Sequence, residues 1–224
     1  MTESDFDTLR QRMIGDIVAH TVLLTGRLGK AALGRRTLEA MDKVPRHAFV
    51  RHELQPFAYA DTPLPNAYGT TVSQPFIVAL MTDLLDLQPS DVVLEIGSGS
   101  GYQTAVLAEL ALHVYSVELI GELAHEARRR LHRLGVANVD IRTGDGRAGW
   151  HEHAPFDKII VTAAPELVPP SLIYQLERGG RMVIPAGLDD AQQLLLLEKG
   201  SDDTVSTREI LPVRFSRLGP GEEG

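Results

Sequence analysis

Between Gly97 and Gly101 the sequence runs G-S-G-S-G, after the apolar stretch "DVVLEI" and before the helical stretch "YQTAVLAELA". Glycines at Gly97, Gly99 and Gly101 let a chain turn tightly and let a ligand approach the backbone closely. A dinucleotide fingerprint needs G-x-G-x-x-G, and Tyr102 follows Gly101 directly, so the spacing favours a nucleoside without a pyrophosphate, S-adenosylmethionine. The next strand-like run, "HVYSVE", ends in Glu118, whose carboxylate can accept both hydroxyls of a ribose. A third run leads into "GDG", which puts Asp145 at the carboxyl edge of a sheet, where it can accept from an adenine amino group. Glu95, Ser98, Leu119 and Gly146 flank these positions and complete the expected cofactor-binding set. Taken singly, each feature has a plain structural reading: a glycine turn is common in α/β folds, Glu118 can cap the next helix, and Asp145 can be a turn residue. In register, each after its own strand, the three are more specific than any one of them.

A second stretch raises a different kind of chemistry. "PNAYGTTVSQP", Pro65 to Pro75, contains no Asp, Glu, Lys, His or Cys. After the fourth strand-like run, Thr162, Ala163, Ala164 and Pro165 offer neither an amide clamp for an exocyclic amine nor a pair of acids for a divalent metal. A site built this way lacks a general base and a metal, so its substrate must arrive as a competent nucleophile. The simplest is a carboxylate, which is ionised at neutral pH because its unperturbed pKa is about 4. Attack on a sulfonium methyl is a direct displacement, for which alignment supplies most of the catalysis. Neutral hydroxyls and backbone N–H groups can hold a carboxylate without protonating it.

The elements that must position these residues are legible from periodicity. Phe6, Leu9, Met13, Ile17 and Leu24 recur at near-helical spacing, which predicts a first helix capped by Ser4 or Asp5. "RRTLEAMDKV" predicts a second helix, stopped at Pro45, and residues 47–75 read as irregular structure. Ser73 is expected to cap the helix "QPFIVALMTDLLDL", with Pro75 in its first turn. From Asp91 strands and helices alternate: "DVVLEI", "YQTAVLAELA", "HVYSVE", "GELAHEARRRLHRLG" and "NVDIRTG". They continue as the strand "DKIIVTA", the helix "PPSLIYQLERGG" and the strand "RMVIPAG", then two runs joined at "SDD" that read as an antiparallel hairpin. The expected architecture is α/β: a Rossmann-like, doubly wound sheet of seven strands behind an N-terminal helical and loop extension. No linker divides the chain, so one domain is expected, with residues 1–90 as helices and substrate lid, 91–185 as the cofactor-binding core, and 186–224 as C-terminal strands and the tail "GPGEEG".

The order of motifs "VPRHAFV", "YADTPLP", "TVSQPFIVALMT", "VLEIGSGSGYQTAVLA", "VYSVE", "GDGRAGW", "APFDKIIVTAA", "QLERGGRMVIPAG" and "ILPVRF" resembles the protein-L-isoaspartate (D-aspartate) O-methyltransferase family over nearly the whole chain. The resemblance implies a class I S-adenosylmethionine-dependent methyltransferase. It would esterify the α-carboxyl of L-isoaspartyl residues in damaged proteins and peptides, and the ester would cyclise to a succinimide. It also implies that Ser73 is the catalytic residue, with Thr70, Thr71, Val72 and Ala67 binding substrate in a lid, and that Gly97 to Gly101, Glu118 and Asp145 hold the cofactor. Asp61, in "YADTPLP", is expected to fix the loop. Where bacterial relatives commonly read P-L-P-I-G-x-G-Q-T-I-S, Asn66, Ala67, Thr70 and Val72 stand in place of Ile, Gly, Gln and Ile. Ala67 occupies a place that can demand φ > 0, and Thr70 replaces a long amide, so a lid of altered shape is expected. Relatives that methylate an ordinary aspartate in a ribosomal peptide, giving an aspartimide, form the second reading. An adaptor that binds S-adenosylmethionine without turnover is a third.

Composition bounds the remaining classes. The chain has 224 residues, 43% hydrophobic and 23% charged, enough for one α/β domain. With Lys+Arg 22 against Asp+Glu 30, the net charge of -8 opposes nucleic-acid binding, and none is expected. Cys 0 removes disulfides and thiolate chemistry and suits a reducing compartment. The acidic start "MTESDFDTLRQR" lacks a signal-peptide pattern, and no apolar run reaches about 18 residues. A cytoplasmic monomer without a membrane partner is expected. "HEH" at His151 to His153 could chelate, but no third ligand is evident, so no metal is assigned. "RRR" at Arg128 to Arg130 reads as a solvated helix face, and Trp150 as packing beneath the "GDG" loop.

Overall fold

A computed structural model describes residues 1–219, so the tail beyond Gly219 lies outside the described residues. The chain opens with α1 (Glu3–Leu23), α2 (Thr25–Leu28) and α3 (Arg35–Lys43). The cap of α1 is Thr2, ahead of the expected Ser4 or Asp5, because Asp5 reaches back: the Asp5 N–H donates to the Thr2 hydroxyl (3.3 Å) and the Thr2 N–H to the Asp5 carboxylate (2.7 Å). The stretch read as irregular contains two 3-10 turns and a small antiparallel hairpin, β1 (Leu64–Pro65) and β2 (Thr71–Val72). It leads into α4 (Pro75–Leu85), whose N-cap is Gln74 and not Ser73. Asp61 satisfies the helix end instead, accepting from the Phe76 N–H at 2.8 Å, which leaves the Ser73 side chain free of a capping role.

The alternating half follows: β3 (Val92–Ile96), α5 (Tyr102–Ala108), β4 (His113–Glu118), α6 (Gly121–Arg133), β5 (Val139–Thr143), β6 (Phe156–Val161), α7 (Pro170–Gln175), β7 (Leu176–Ala186), β8 (Gln193–Lys199) and β9 (Val205–Pro212). The seven-stranded sheet has the order β5-β4-β3-β6-β7-β8-β9. Strands β3 to β7 are parallel, and β8 pairs antiparallel with both β7 and β9, which gives the expected C-terminal hairpin. One element departs from its periodicity. "LERGG" was expected in a helix but forms the start of β7, where Leu176 pairs with Phe156. The backbone packs tightly there: a Cβ on Gly180 would lie 2.7 Å from the Glu177 carbonyl and 2.8 Å from that of Asp157.

Alternation along the central strands divides the interior into two cores. Val93, Ile160 and Val183 face one core with α1, α3, α4, α5 and α6; Leu94, Ile159 and Met182 face the other with α7 and Trp150. The sheet is thus covered on both faces, as parallel strands require. Among the described residues no helix is long and apolar enough to cross a membrane.

Candidate active site

Parallel strands leave their carboxyl ends at one edge, and ligands of doubly wound sheets bind outside that edge. Here the loops after β3, β4, β5 and β6 open onto a cleft of about 820 Å³, walled on its other sides by the lid hairpin and by residues 212–219. Gly97, Ser98 and Gly99 lie along it, as do Glu118, Leu119, Asp145 and Gly146, and from the lid Thr70, Thr71, Val72 and Ser73.

The glycine turn is needed for its backbone. Gly97 has φ 94, and a Cβ there would sit 2.5 Å from the Thr162 hydroxyl, which itself donates to the Gly97 carbonyl at 2.7 Å. Thr162, at the end of β6, therefore braces the turn. A Cβ on Gly146 would meet the Ile96 side chain at 2.2 Å, so the loop after β5 closes on β3 only with glycine. Glu118 is nearly buried and oriented by the backbone: one oxygen accepts from the Gly99 N–H (2.8 Å) and the other from the Ile120 N–H (3.0 Å). Each oxygen keeps lone-pair capacity for one hydroxyl, which suits a vicinal diol. Asp145 joins its two readings. It lines the cleft and also caps the turn Gly146–Ala148, while a forked pairing with Arg147 holds its carboxyl below the usual range.

Three expected residues lie off the cleft wall. Gly101 is the N-cap of α5, where a Cβ would come within 3.3 Å of Ala127. Ala67 sits at the lid tip and carries no positive φ; Tyr68 (φ 55) and Gly69 (φ 69) take that conformation instead. Glu95 is completely buried, accepting from the hydroxyls of Thr104 and Ser116 at 2.6 Å each, because strand alternation turns it toward α5. Burial pushes its carboxyl up to about 7, against those two hydrogen bonds, and the charge of Glu118 adds to the rise. The buried Ser98 Oγ, on the cleft wall, has no hydrogen-bond partner among the described residues, so the wall has unused polar capacity that fits a polar cofactor.

The lid is neutral and self-bonded. At its tip Asn66 Nδ2 donates to the Thr70 hydroxyl (3.1 Å), and that hydroxyl donates to the Ala67 carbonyl (2.8 Å). Asp61 ties the base, accepting from Phe76 N–H and from the Gln74 side chain, with His20 Nδ1 at 3.0 Å. The Ser73 hydroxyl makes no hydrogen bond among the described residues, while its carbonyl accepts from Arg46.

Periodicity and motif reading passed over three contributors. Arg46 lies behind Ser73; Arg130 donates to the Ser100 carbonyl at 3.1 Å; and residues 212–219 form the wall facing the lid. That wall is held by the Ala164–Arg217 bridge, a contact between distant segments with no local signal. Arg130, expected on a solvated face, is half-buried on the glycine turn, and Arg128 donates to the Ile141 carbonyl, so only Arg129 of the three is simply exposed. His153 stacks on Tyr115 at 4.0 Å, and Trp150 packs against both, beneath the Arg142 guanidinium at 4.6 Å. Among the described residues no group of three or more His, Cys, Asp or Glu is placed to hold a metal.

A model of the protein-L-isoaspartate(D-aspartate) O-methyltransferase (PCMT) family matches residues 25–223. The chain belongs to this family. It is similar to protein-L-isoaspartate O-methyltransferase 1 of Polaromonas sp., at 64% identity over 224 residues, covering 100% of this chain and 95% of that one. Protein-L-isoaspartate O-methyltransferase 2 of Syntrophobacter fumaroxidans is 50% identical over 220 residues, covering 98% and 89%. A solved protein-L-isoaspartate O-methyltransferase superposes with a TM-score of 0.81 at 28% identity, over 94% of this chain and 66% of that one. A Plasmodium falciparum chain solved with S-adenosyl-L-homocysteine superposes at 0.74 with 21% identity, covering 96% and 98%, which speaks to the fold. The PCMT sheet described above is accordingly a Rossmann-like class I methyltransferase fold.

Proposed function

We propose that the chain methylates the α-carboxyl of L-isoaspartyl residues in damaged proteins and peptides, using S-adenosylmethionine and so starting repair through a succinimide. One observation carries this reading: a cleft at the carboxyl edge of the sheet whose facing lid is uncharged, in a chain 64% identical over its whole length to a protein-L-isoaspartate O-methyltransferase. S-adenosylmethionine, when bound, supplies a methyl carbon made electrophilic by its sulfonium. Glu118 would hold the ribose hydroxyls, and the loop at Asp145 and Gly146 would border the adenine. The Ser73 hydroxyl and the Thr71–Val72 backbone hold the substrate carboxylate in line with the methyl carbon. A carboxylate oxygen held there would form the new C–O bond as the C–S bond breaks, the electron pair leaving with sulfur. No proton moves, so the wall needs neither acid nor base. The neighbouring backbone nitrogen then attacks the ester carbonyl, a C–N bond forming as the C–O bond breaks, and methoxide leaves with the N–H proton as methanol, giving the succinimide.

The absence of cysteine and the net charge of -8 support a cytoplasmic monomer that does not engage nucleic acid. The substrate is tested by offering labelled cofactor with an isoaspartyl peptide, with its aspartyl twin and with neither, and measuring methanol released from base-labile esters. Label is expected with the isoaspartyl peptide alone. Equal or absent labelling of that peptide overturns the proposal, and labelling of the aspartyl twin alone supports a peptide-tailoring enzyme.

A further inference from the structure

Among the described residues Arg46 is the largest fully buried side chain, at 0% exposure, and no carboxylate contacts its guanidinium. Its Nε donates to the Ala58 carbonyl and its Nη2 to the Ser73 carbonyl, each at 2.7 Å. Among the described residues the buried Nη1 has no hydrogen-bond partner, and the guanidinium carbon lies 4.7 Å from the ring centroid of Tyr102, the first residue of α5 and part of the cleft wall. Isolating a cation in this way is unfavourable unless something nearby uses the charge. Guanidinium stays charged in proteins, so burial does not neutralise it.

We propose that Arg46 is a positioning residue for methyl transfer: it fixes the Ser73 peptide from behind the lid, and its charge, which no contacting carboxylate neutralises, keeps the substrate carboxylate ionised as the cleft removes it from water. The inference rests on the reading that this carboxylate docks at Ser73. Desolvation favours the protonated acid, which is a poor nucleophile, and a nearby cation opposes that shift. A cation in direct contact would tie up the attacking oxygen. One placed behind a peptide group contributes its field and leaves the lone pair free.

The groups that face Arg46 offset its charge only in part. Tyr102 and Tyr59 are phenols, and the Asp61 carboxylate, whose own hydrogen bonds go to Phe76, Gln74 and His20, acts on Arg46 through space only and offsets part of its charge. His47, on its own turn, stacks on Phe6. Along the cleft wall the carboxylates Glu118 and Asp145 belong to the strand edge, while Arg214 and Arg217 stand on the 212–219 segment, Arg217 paired with Asp189.

The test compares full-length wild type with Arg46→Met and Arg46→Lys, measuring kcat/KM for an isoaspartyl peptide between about pH 4.5 and about pH 8. Arg46→Met is expected to lose roughly tenfold or more at neutral pH, with the acidic limb moved up by about one unit. Arg46→Lys keeps the charge but loses the fork, so its turnover falls while its limb stays with wild type. Cofactor affinity by calorimetry is expected to change less than about twofold in both. An unmoved limb in Arg46→Met, or an equal shift in both variants, overturns the proposal. Should Arg46→Met not fold, wild type decides: with S-adenosylhomocysteine present, peptide binding is expected without proton uptake above about pH 5, and uptake near neutrality overturns it. Ser73→Ala separates the two readings. If its kcat/KM is unchanged, the docking position is wrong; if it is impaired while the Arg46→Met limb stays put, only the role of Arg46 is wrong.

Discussion

Glu95 lies where water does not reach, under two hydroxyls that favour its charged form and beside Glu118, which does not. Its carboxyl is pushed up to about 7 from 4.5, so the folded state binds a proton that the unfolded state has already released. Stability from this group is complete below the unfolded value and is lost as pH rises toward the folded one, by about 3 kcal/mol at most at 1.36 kcal/mol per unit. In the absence of cofactor, wild type should therefore unfold at lower urea at pH 8 than at pH 5.5, beyond what its other groups cause. Glu95→Gln, isosteric and uncharged, should flatten that difference, with midpoints followed by circular dichroism at both pH values. An unchanged difference in the variant would mean that Glu95 is ionised throughout. Residues of this kind are half legible in sequence. Gly97, Glu118 and Asp145 announce themselves by position after a strand, whereas the burial of Glu95 and Arg46 depends on which face of an element the remaining fold covers.

A hairpin of two-residue strands has little stability of its own, so the lid depends on its tip. Asn66 and Thr70, both departures from the bacterial pattern, meet there: the Asn66 amide, nearly buried, finds its acceptor in the Thr70 hydroxyl. Backbone bonds Asn66 N–H to Thr70 C=O (2.8 Å) and Thr70 N–H to Ala67 C=O (3.1 Å) close the turn, and Arg51 holds the Asn66 carbonyl at 2.9 Å. Thr70→Val removes two hydrogen bonds at constant shape and strands the Asn66 amide, a local cost of about 1–3 kcal/mol. The peptide KM should rise by roughly threefold or more as the lid loosens, with cofactor affinity retained; a KM within about twofold of wild type would make the pair ornamental. Asn66 and Thr70 thus compensate one another across the turn, a relation visible only once both sides of it are placed. The same limit explains β7. The spacing of Leu172, Ile173 and Leu176 suits a helix, but pairing with β6 and the packing at Gly180 impose a strand. The β3 to β6 run was legible because each strand carries its own apolar signal, whereas the wall at 212–219 is defined by contact with Ala164.

At the scale of the molecule, the N-terminal helices share a core with the sheet. Phe6, Met13 and Ile17 of α1 and Phe76 and Leu80 of α4 pack in one cluster with Val93, Ile160 and Val183. Two-state unfolding is the usual outcome below about 150 residues, and at 224 residues this chain is long enough to unfold in parts. The shared core argues that it does not, and that residues 1–90 are no separate domain. Two probes sit on opposite faces of the sheet. Trp150, the single tryptophan, packs against the core with α7, while most helical signal comes from α1, α4, α5 and α6 on the other face. Tryptophan fluorescence and far-ultraviolet circular dichroism should therefore report coincident urea transitions. The cleft spans both the lid and the strand edge, so S-adenosylhomocysteine at about 100 times its Kd should stabilise the whole by about 2.7 kcal/mol and move both midpoints together. Midpoints that separate, or a ligand shift confined to the fluorescence transition, would show that the N-terminal segment folds on its own and that the lid is docked onto a finished cofactor domain.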